Sequence, residues 1–429
     1  MITPLELIAA PHIRHALGLL GRTEDIRFAP SGKRLAIAGF AKDELTILDV
    51  EAGDGAVHLT GMVQIWSTSL HEPHGVSFLD DDTLVIANRH AEVPIFHLPA
   101  SSPGLRRVDL DPVQTLRAND SHGLKSPGSV VTARLAPDLY EIIVCNNYAD
   151  NVSRHLVDAR DGYRVLSSEV LAQWGLEIPD GAAISADREW LAISNHNTHS
   201  VFVHRFTEHL GPDTGPYGVL ENVNYPHGLC FTADGSHLLV ADAGAPYVHV
   251  FARGLDDWRG IRQPVSVIKV MDDQQYLDGR YNTQEGGPKG IDIDRSMRLV
   301  AVSSEHQPLD FFAASDFVPM IETITGPPAA AALESTRVAL LRALQAAAAA
   351  GTHAAEWENA TADRETRIAE LHDSIAASET RIAELTALCQ QAESRLTATT
   401  EVAAVDRAAF DATISAERVD RLNAESSAE

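Results

Sequence analysis

Cysteine is nearly missing from this chain. Three occur, Cys145, Cys230 and Cys389, far apart and without metal-ligand spacing. Thiols this few build neither a disulfide framework nor a zinc-binding cysteine cluster, and their scarcity fits a reducing compartment. Long apolar runs are missing too. Nothing approaches the roughly 18 consecutive apolar residues that a membrane-spanning helix needs. The opening segment, MITPLELIAAPHIRHALG, has no basic stretch ahead of its apolar residues. It does not read as a secretory leader, and a cytoplasmic protein is expected. Positive charge is scarce as well: 34 Lys and Arg stand against 60 Asp and Glu, a formal net charge of −26. A surface of that sign repels phosphate backbones and anionic headgroups, so neither nucleic acid nor membrane is an expected partner. Also absent are a Gly-x-Ser-x-Gly elbow, a Gly-rich phosphate loop and a His-Glu-x-x-His motif, the common signatures of hydrolases, nucleotide binders and zinc proteases.

What the chain has is repetition. Six segments share one pattern, beginning at Glu24 (EDIRFAPSGKRLAIAGF), Pro73 (PHGVSFLDDDTLVIANRH), Pro127 (PGSVVTARLAPDLYEIIVCNN), Pro179 (PDGAAISADREWLAISNH), Pro226 (PHGLCFTADGSHLLVADAG) and Pro288 (PKGIDIDRSMRLVAVSSE). Their spacing is roughly 50 residues, the span of a four-stranded propeller blade. Each begins with a short apolar strand, turns on Asp, Gly or Pro, and continues in a stronger apolar run such as LLVAD. A polar loop and an alternating run such as YVHVFA follow. Alternation marks a half-buried strand, and the continuous run marks one buried on both faces. One such sheet cannot bury both faces alone, whereas six arranged radially can. The expected architecture is an all-β six-bladed propeller over residues 24–325, after a lead-in segment of 1–23.

That topology brings two sets of residues to one axial mouth. The first is the position before each inner strand's glycine: Glu24, His74, an unassigned third (His122, Ser129 or neither), Asp180, His227 and Lys289. The second follows the second strand: Asn88 with Arg89 and His90, Asn146 with Asn147, Asn195 with Ser194 and His196, Asp242, and Glu305 with Ser304. Histidines and carboxylates on one concave face can hold a divalent cation, zinc or calcium, or serve as acid and base. Glu24, His74, Asp180 and His227 are the expected metal set. Lys289 disfavours a neighbouring cation and suits a ligand carboxylate or phosphate, or a salt bridge to Glu24 or Asp180. The bland reading is that Pro-x-Gly is a turn device whose middle residue faces water, and that the asparagines are turn residues.

The PHGLCFTADGSHLLVADAG and PHGVSFLDDDTLVIANRH units resemble those of NHL, YVTN and lactonase-like propellers. The resemblance covers residues 24–324 and implies a fold shared by lactone hydrolases, metal-dependent lyases and interaction domains. Gluconolactonase-like members hold a divalent cation on Glu, Asn and Asp. Glu24 and Asp180 match two of those places, while His74 and His227 depart from them. The histidines are similar instead to those of zinc-dependent amidating lyases.

After Gly326-Pro327-Pro328 alanine dominates and glycine and proline almost vanish. Residues 326–362 read as an Ala-rich helix and linker, and 363–429 as a coiled-coil-like helical tail. ETRIAEL recurs after two heptads, with Ile368, Ile375, Ile382, Cys389 and Leu396 at one core position and Leu371, Ser378, Leu385 and Ala392 at the other. Isoleucine with leucine in this arrangement favours a parallel dimer through residues 363–400. The expected function is therefore a scaffold that binds a small molecule or peptide at its mouth and is multimerised by its tail. The alternative is a metal-dependent lactonase-like hydrolase or lyase acting at the same mouth.

Overall fold

The computed structural model describes residues 1–318, except 54, 91, 118–123, 255–256, 283 and 307–308, and beyond these 407, 413–415 and 418. The chain divides into two compact units, Met1–Glu322 and Thr323–Glu429. The first unit contains six sheets, each led by one segment of the repeat. Their innermost strands are Ile26–Phe28, Pro73–Asp80, Pro127–Ala136, Pro179–Ile184, Pro226–Phe231 and Pro288–Ile293. Each packs against the next, and the last against the first. The ring is closed, and the unit is a six-bladed β-propeller. Among the described residues, no helix is long and apolar enough to cross a membrane.

The second strand of each blade is the apolar run of the repeat. Arg34–Gly39, Thr83–Asn88, Trp190–Asn195 and Leu299–Ser304 are buried along their whole length. They lie between two strands of their own sheet and between two neighbouring blades, so both faces are apolar. The repeated glycine has a steric cause. A Cβ on Gly75 would stand 2.5 Å from Ser129 Cα, one on Gly181 2.1 Å from the His227 carbonyl, and one on Gly228 2.5 Å from the Lys289 carbonyl. Inner strands of adjacent blades approach backbone to backbone, and only glycine fits.

Residues 1–23 do more than lead into the first blade. The Ile2 N–H donates to the Lys269 carbonyl of blade five (3.1 Å), and the Leu5 N–H to the Phe311 carbonyl of blade six (2.7 Å). Glu6–Ala9 then pairs parallel with Ala56–Trp66 of blade one. Among the described residues blade six has three strands of its own, and this segment bonds the outermost of them at Phe311. The helix Pro11–Gly18 follows, laying Ile13, Ala16 and Leu17 into a cluster with Ile26 and Leu35 of blade one and Leu299 and Phe311 of blade six. The Ala-rich helix expected at 326–362 and the coiled coil expected at 363–429 lie outside the described residues, apart from 407, 413–415 and 418, which are helical.

Candidate functional site

Where the inner strand starts in blades two to six, its ladder slips by one residue. Pro73 pairs with Asn88 but Gly75 with Ala87; Pro127 with Asn146 but Ser129 with Cys145; Pro179 with Asn195 but Gly181 with Ser194. Similar shifts lie within Pro226–Leu229 and Pro288–Ile291. His74, Gly128 and Asp180 are thus the extra residues of β-bulges, and His227 and Lys289 lie within such shifts. A bulge re-aims its side chain and often lies beside a functional site. Blade three contributes Gly128 at this place, and a Cβ there would collide with Asn147 Oδ1 and Asp180 Oδ1. Ser129 occupies the position that is glycine in blades two, four, five and six and Asp25 in blade one, and His122 lies outside the described residues.

The structure brings Glu24, His74, Asp180, His227 and Lys289 together, and it buries them. Their exposure is 0–3%, so the middle residue of Pro-x-Gly does not face water. His74 and His227, from blades two and five, stack across the axis with ring centroids 5.2 Å apart. His74 donates its Nδ1–H to the Gly128 carbonyl at 2.5 Å. Its Nε2 has no hydrogen-bond partner and lies 3.5 Å from Glu24 Oε2. His227 Nε2 lies 3.3 Å from the same oxygen and 3.4 Å from Asp180 Oδ2. Lys289 Nζ bridges to both Glu24 oxygens at 3.2 and 3.0 Å, and Arg22 bonds Glu24 Oε1.

Burial opposes charge on every one of these groups, and their partners decide which charges survive. Against desolvation, the Lys289 ammonium, with the Arg22 guanidinium, holds Glu24 well below the usual carboxylate range. Asp180 is likewise lowered despite burial, by His227 and the Arg89 guanidinium. Lys289 is raised because Glu24 and Glu285 outweigh its desolvation. The histidines diverge. Burial and Arg89 push His74 down to about 3, keeping it neutral, whereas Asp180 and Glu24 overcome burial and raise His227.

Within the expected second set, or tier, the residue that ends each strand and the one after it part company. Asn88 spends its side chain on the Ser69 carbonyl and the His71 N–H. Asn146 bonds Asn151 and Ser153, and Asn195 bonds Gly175 and Glu177. Asp242 accepts from the Asn224 and Gly244 N–H groups and from His249. These four brace their own blades. Their successors face the axis: Arg89 Nη2 is 3.7 Å from Asp180, Asn147 Nδ2 donates to Asp180 at 2.6 Å, and His196 Nδ1 is 3.8 Å from Asp180. Glu305 stands 3.7 Å from Lys289 and 3.8 Å from Arg22, and burial raises its pKa. In blade one the Phe40 ring meets His74 edge-on at 6.0 Å, with Arg22 over its other side at 4.3 Å.

Sequence reasoning did not assign Arg22, Phe40 or Glu285 to the mouth. Glu285 comes from the stretch between the helix Asp273–Asp278 and blade six, which reads as a plain turn into that blade. The fixed spacing after each second strand could have pointed to Phe40. No local pattern marks the other two.

The rim is held by strained backbone. The residue before the repeat's proline has positive φ in four blades: Glu72 (52°), Ser126 (53°), Ile178 (55°) and Tyr225 (49°). A side-chain acceptor from the preceding blade takes three of these N–H groups: Asp43 that of Glu72 (2.6 Å), Asp150 that of Ile178 (2.9 Å) and His199 Nδ1 that of Tyr225 (3.1 Å). Left-handed backbone costs L-residues about 1–2 kcal/mol each, and such strain clusters where geometry must be exact to a fraction of an ångström.

No family model matches the chain, and no curated protein matches it. A solved structure described as a functionally unknown protein from Desulfotomaculum acetoxidans DSM 771 is 13% identical, with a TM-score of 0.43 over 68% of this chain and 83% of that one. The assignment as a propeller rests on the closed ring of six sheets.

Proposed function

We propose that the propeller is a small-molecule-binding module whose axial mouth holds a divalent transition metal of the zinc type on Glu24, His74 and His227. The ligand atoms of these three all lie within 4.8 Å of one another. One observation carries the reading: both Nε2 atoms stand 3.5 and 3.3 Å from a single carboxylate oxygen, Glu24 Oε2. The His227 contact is a long hydrogen bond, beyond the roughly 2.7–2.9 Å of a strong charge-assisted one, and His74 Nε2 makes none. Ligands about 2.0–2.2 Å from a tetrahedral ion stand about 3.3–3.5 Å apart. His74 fits the role further, with Nδ1–H on a backbone carbonyl and a buried lone pair at Nε2 lacking a hydrogen-bond partner. Glu24 Oε1 takes Arg22 and Oε2 faces both imidazoles, while Lys289 Nζ bonds Oε2 at 3.0 Å, so an ion there would share that oxygen with the ammonium. Two imidazoles favour zinc over calcium, which prefers oxygen. A bound ion would act as a Lewis acid toward a ligand oxygen.

The test is calorimetry on chelator-treated protein. Zinc binds with one site per chain, calcium far more weakly, and His74→Ala or His227→Ala weakens zinc by more than about 100-fold. Wild-type protein that takes up no zinc overturns the reading.

The second reading, a metal-dependent hydrolase or lyase, draws on Asp180, an ionised carboxylate 3.4 Å from His227. Zinc-dependent turnover of small lactones, lost in Asp180→Asn, would favour it. In both readings residues 363–400 pair two chains. Light scattering before and after truncation at Gly326 checks this, and an unchanged mass removes the dimer.

A further inference from the structure

Glu285 reaches the mouth from outside the six-fold pattern. Its loop is built to deliver it. Asn282 Oδ1 accepts from the Gln284 and Glu285 N–H groups at 2.8 and 2.7 Å. The Gly286 and Gly287 N–H groups donate to the Ala243 carbonyl at 2.9 and 2.8 Å, and the Tyr276 hydroxyl donates to the Gly244 carbonyl at 2.7 Å. Blade five has only alanine, Ala243, at the second-tier place, and its carbonyl anchors the loop instead. The result is a nearly buried carboxylate, with Oε2 3.0 Å from Lys289 Nζ and Oε1 3.3 Å from His196 Nε2.

Lys289 has no need of this partner. Glu24 already gives it both oxygens, and Glu305 stands 3.7 Å away. Three carboxylates around one ammonium, in a chain of net charge −26, are locally in excess. The two groups that grip Glu285 belong to rigid positions, Lys289 in a buried inner strand and His196 just past the end of a buried second strand. Glu285 itself belongs to a loop.

We infer that the mouth recognises a small molecule bearing a carboxylate, and that Glu285 is the internal stand-in for it, seated where the ligand's carboxylate takes its place between Lys289 and His196. The inference rests on the mouth being a ligand site, as proposed above. The class follows from the seat: one donor faces each oxygen of a planar two-oxygen group. Arg22, whose guanidinium also feels Glu285, stands near the seat and receives a second anionic or polar group on the same molecule. While Glu285 occupies the seat, it competes with the ligand, so the chain as folded binds carboxylates below the affinity its donors allow.

The experiment uses malonate as probe, acetate and inorganic phosphate as comparisons, and calorimetry on the full chain with and without zinc. Glu285→Gln keeps the shape and removes the charge. Malonate should bind Glu285→Gln at least about 10-fold more tightly than wild type, phosphate should gain less, and His196→Gln added to Glu285→Gln should abolish the gain. Circular dichroism confirms that each variant is folded. Unchanged malonate affinity in a Glu285→Gln protein that still binds zinc overturns the inference and leaves the metal reading intact. An equal gain for phosphate overturns the carboxylate class. Tighter malonate binding in Glu285→Gln without zinc uptake by any variant supports the inference and removes the metal from the reading above.

Discussion

An ammonium with 1% exposure persists in the Lys289 position because the Glu24 carboxylate gives it both oxygens, the nearer at 3.0 Å, with Glu285 as a further partner. Lys289→Met takes the cation from among them and leaves buried negative charge unpaired, a loss of about 3–5 kcal/mol. Urea denaturation reads it, and a loss below about 1 kcal/mol would show that Arg22 alone suffices. His204 gives a second prediction at this scale, far from the mouth chemistry. Its ring is buried, neither nitrogen has a hydrogen-bond partner, and burial lowers its pKa from 6.5 to about 4. The folded state therefore resists the proton that the unfolded chain accepts. Stability is full above pH 6.5 and declines as pH falls toward 4, by up to about 3 kcal/mol. His204→Leu should flatten that part of the curve in urea titrations at pH 7 and 4.5; an unaltered pH dependence would assign it to other groups.

At the scale of the element, the bulge decides what the inner strands of blades two to six show to the axis. The Pro-x-Gly spacing was legible as a recurring polar place, and Glu24, His74, Asp180, His227 and Lys289 meet there. In the second tier the pattern named both neighbours at each strand end without deciding which faces the axis, because side chains alternate and a shift of one turns every side chain to the other face. Asn88, Asn146, Asn195 and Asp242 end their strands, and the outward bend comes one position later. The rim latches are another element-scale device invisible in sequence: Asp43 and Glu72 are 29 residues apart, Asp150 and Ile178 28. Asp150→Ala removes the acceptor of the Ile178 N–H at 2.9 Å and exposes the strain beneath it. It should cost about 1–2 kcal/mol, measured as a lowered thermal midpoint. No change in that midpoint would show that the latch follows the rim geometry and does not hold it.

Across the whole molecule, closure is the costly step, since an open ring leaves the seam between blades six and one uncovered. The N-terminal segment spans that seam through Ile2, Leu5 and Glu6–Ala9, and the helix behind it fills the core of both blades. Deleting residues 1–9 should lower the thermal midpoint by several degrees and raise protease sensitivity near Phe311. Limited proteolysis checks this, and an unaltered digestion pattern would mean that blades six and one close by themselves.

The residues alone determined the blade. Its turn aspartates, its doubly buried second strand and the glycine of four blades act over short distances, where pattern and physics coincide. The same local logic could not decide which polar atoms share a site. Glu24 and Lys289 are 265 residues apart, His74 and Gly128 are 54, and each pair meets only because the ring closes. The charges of the cluster belong to the tertiary structure as well. Burial would neutralise each group singly, and only the partners that closure supplies keep Glu24 and Asp180 ionised beside a neutral His74.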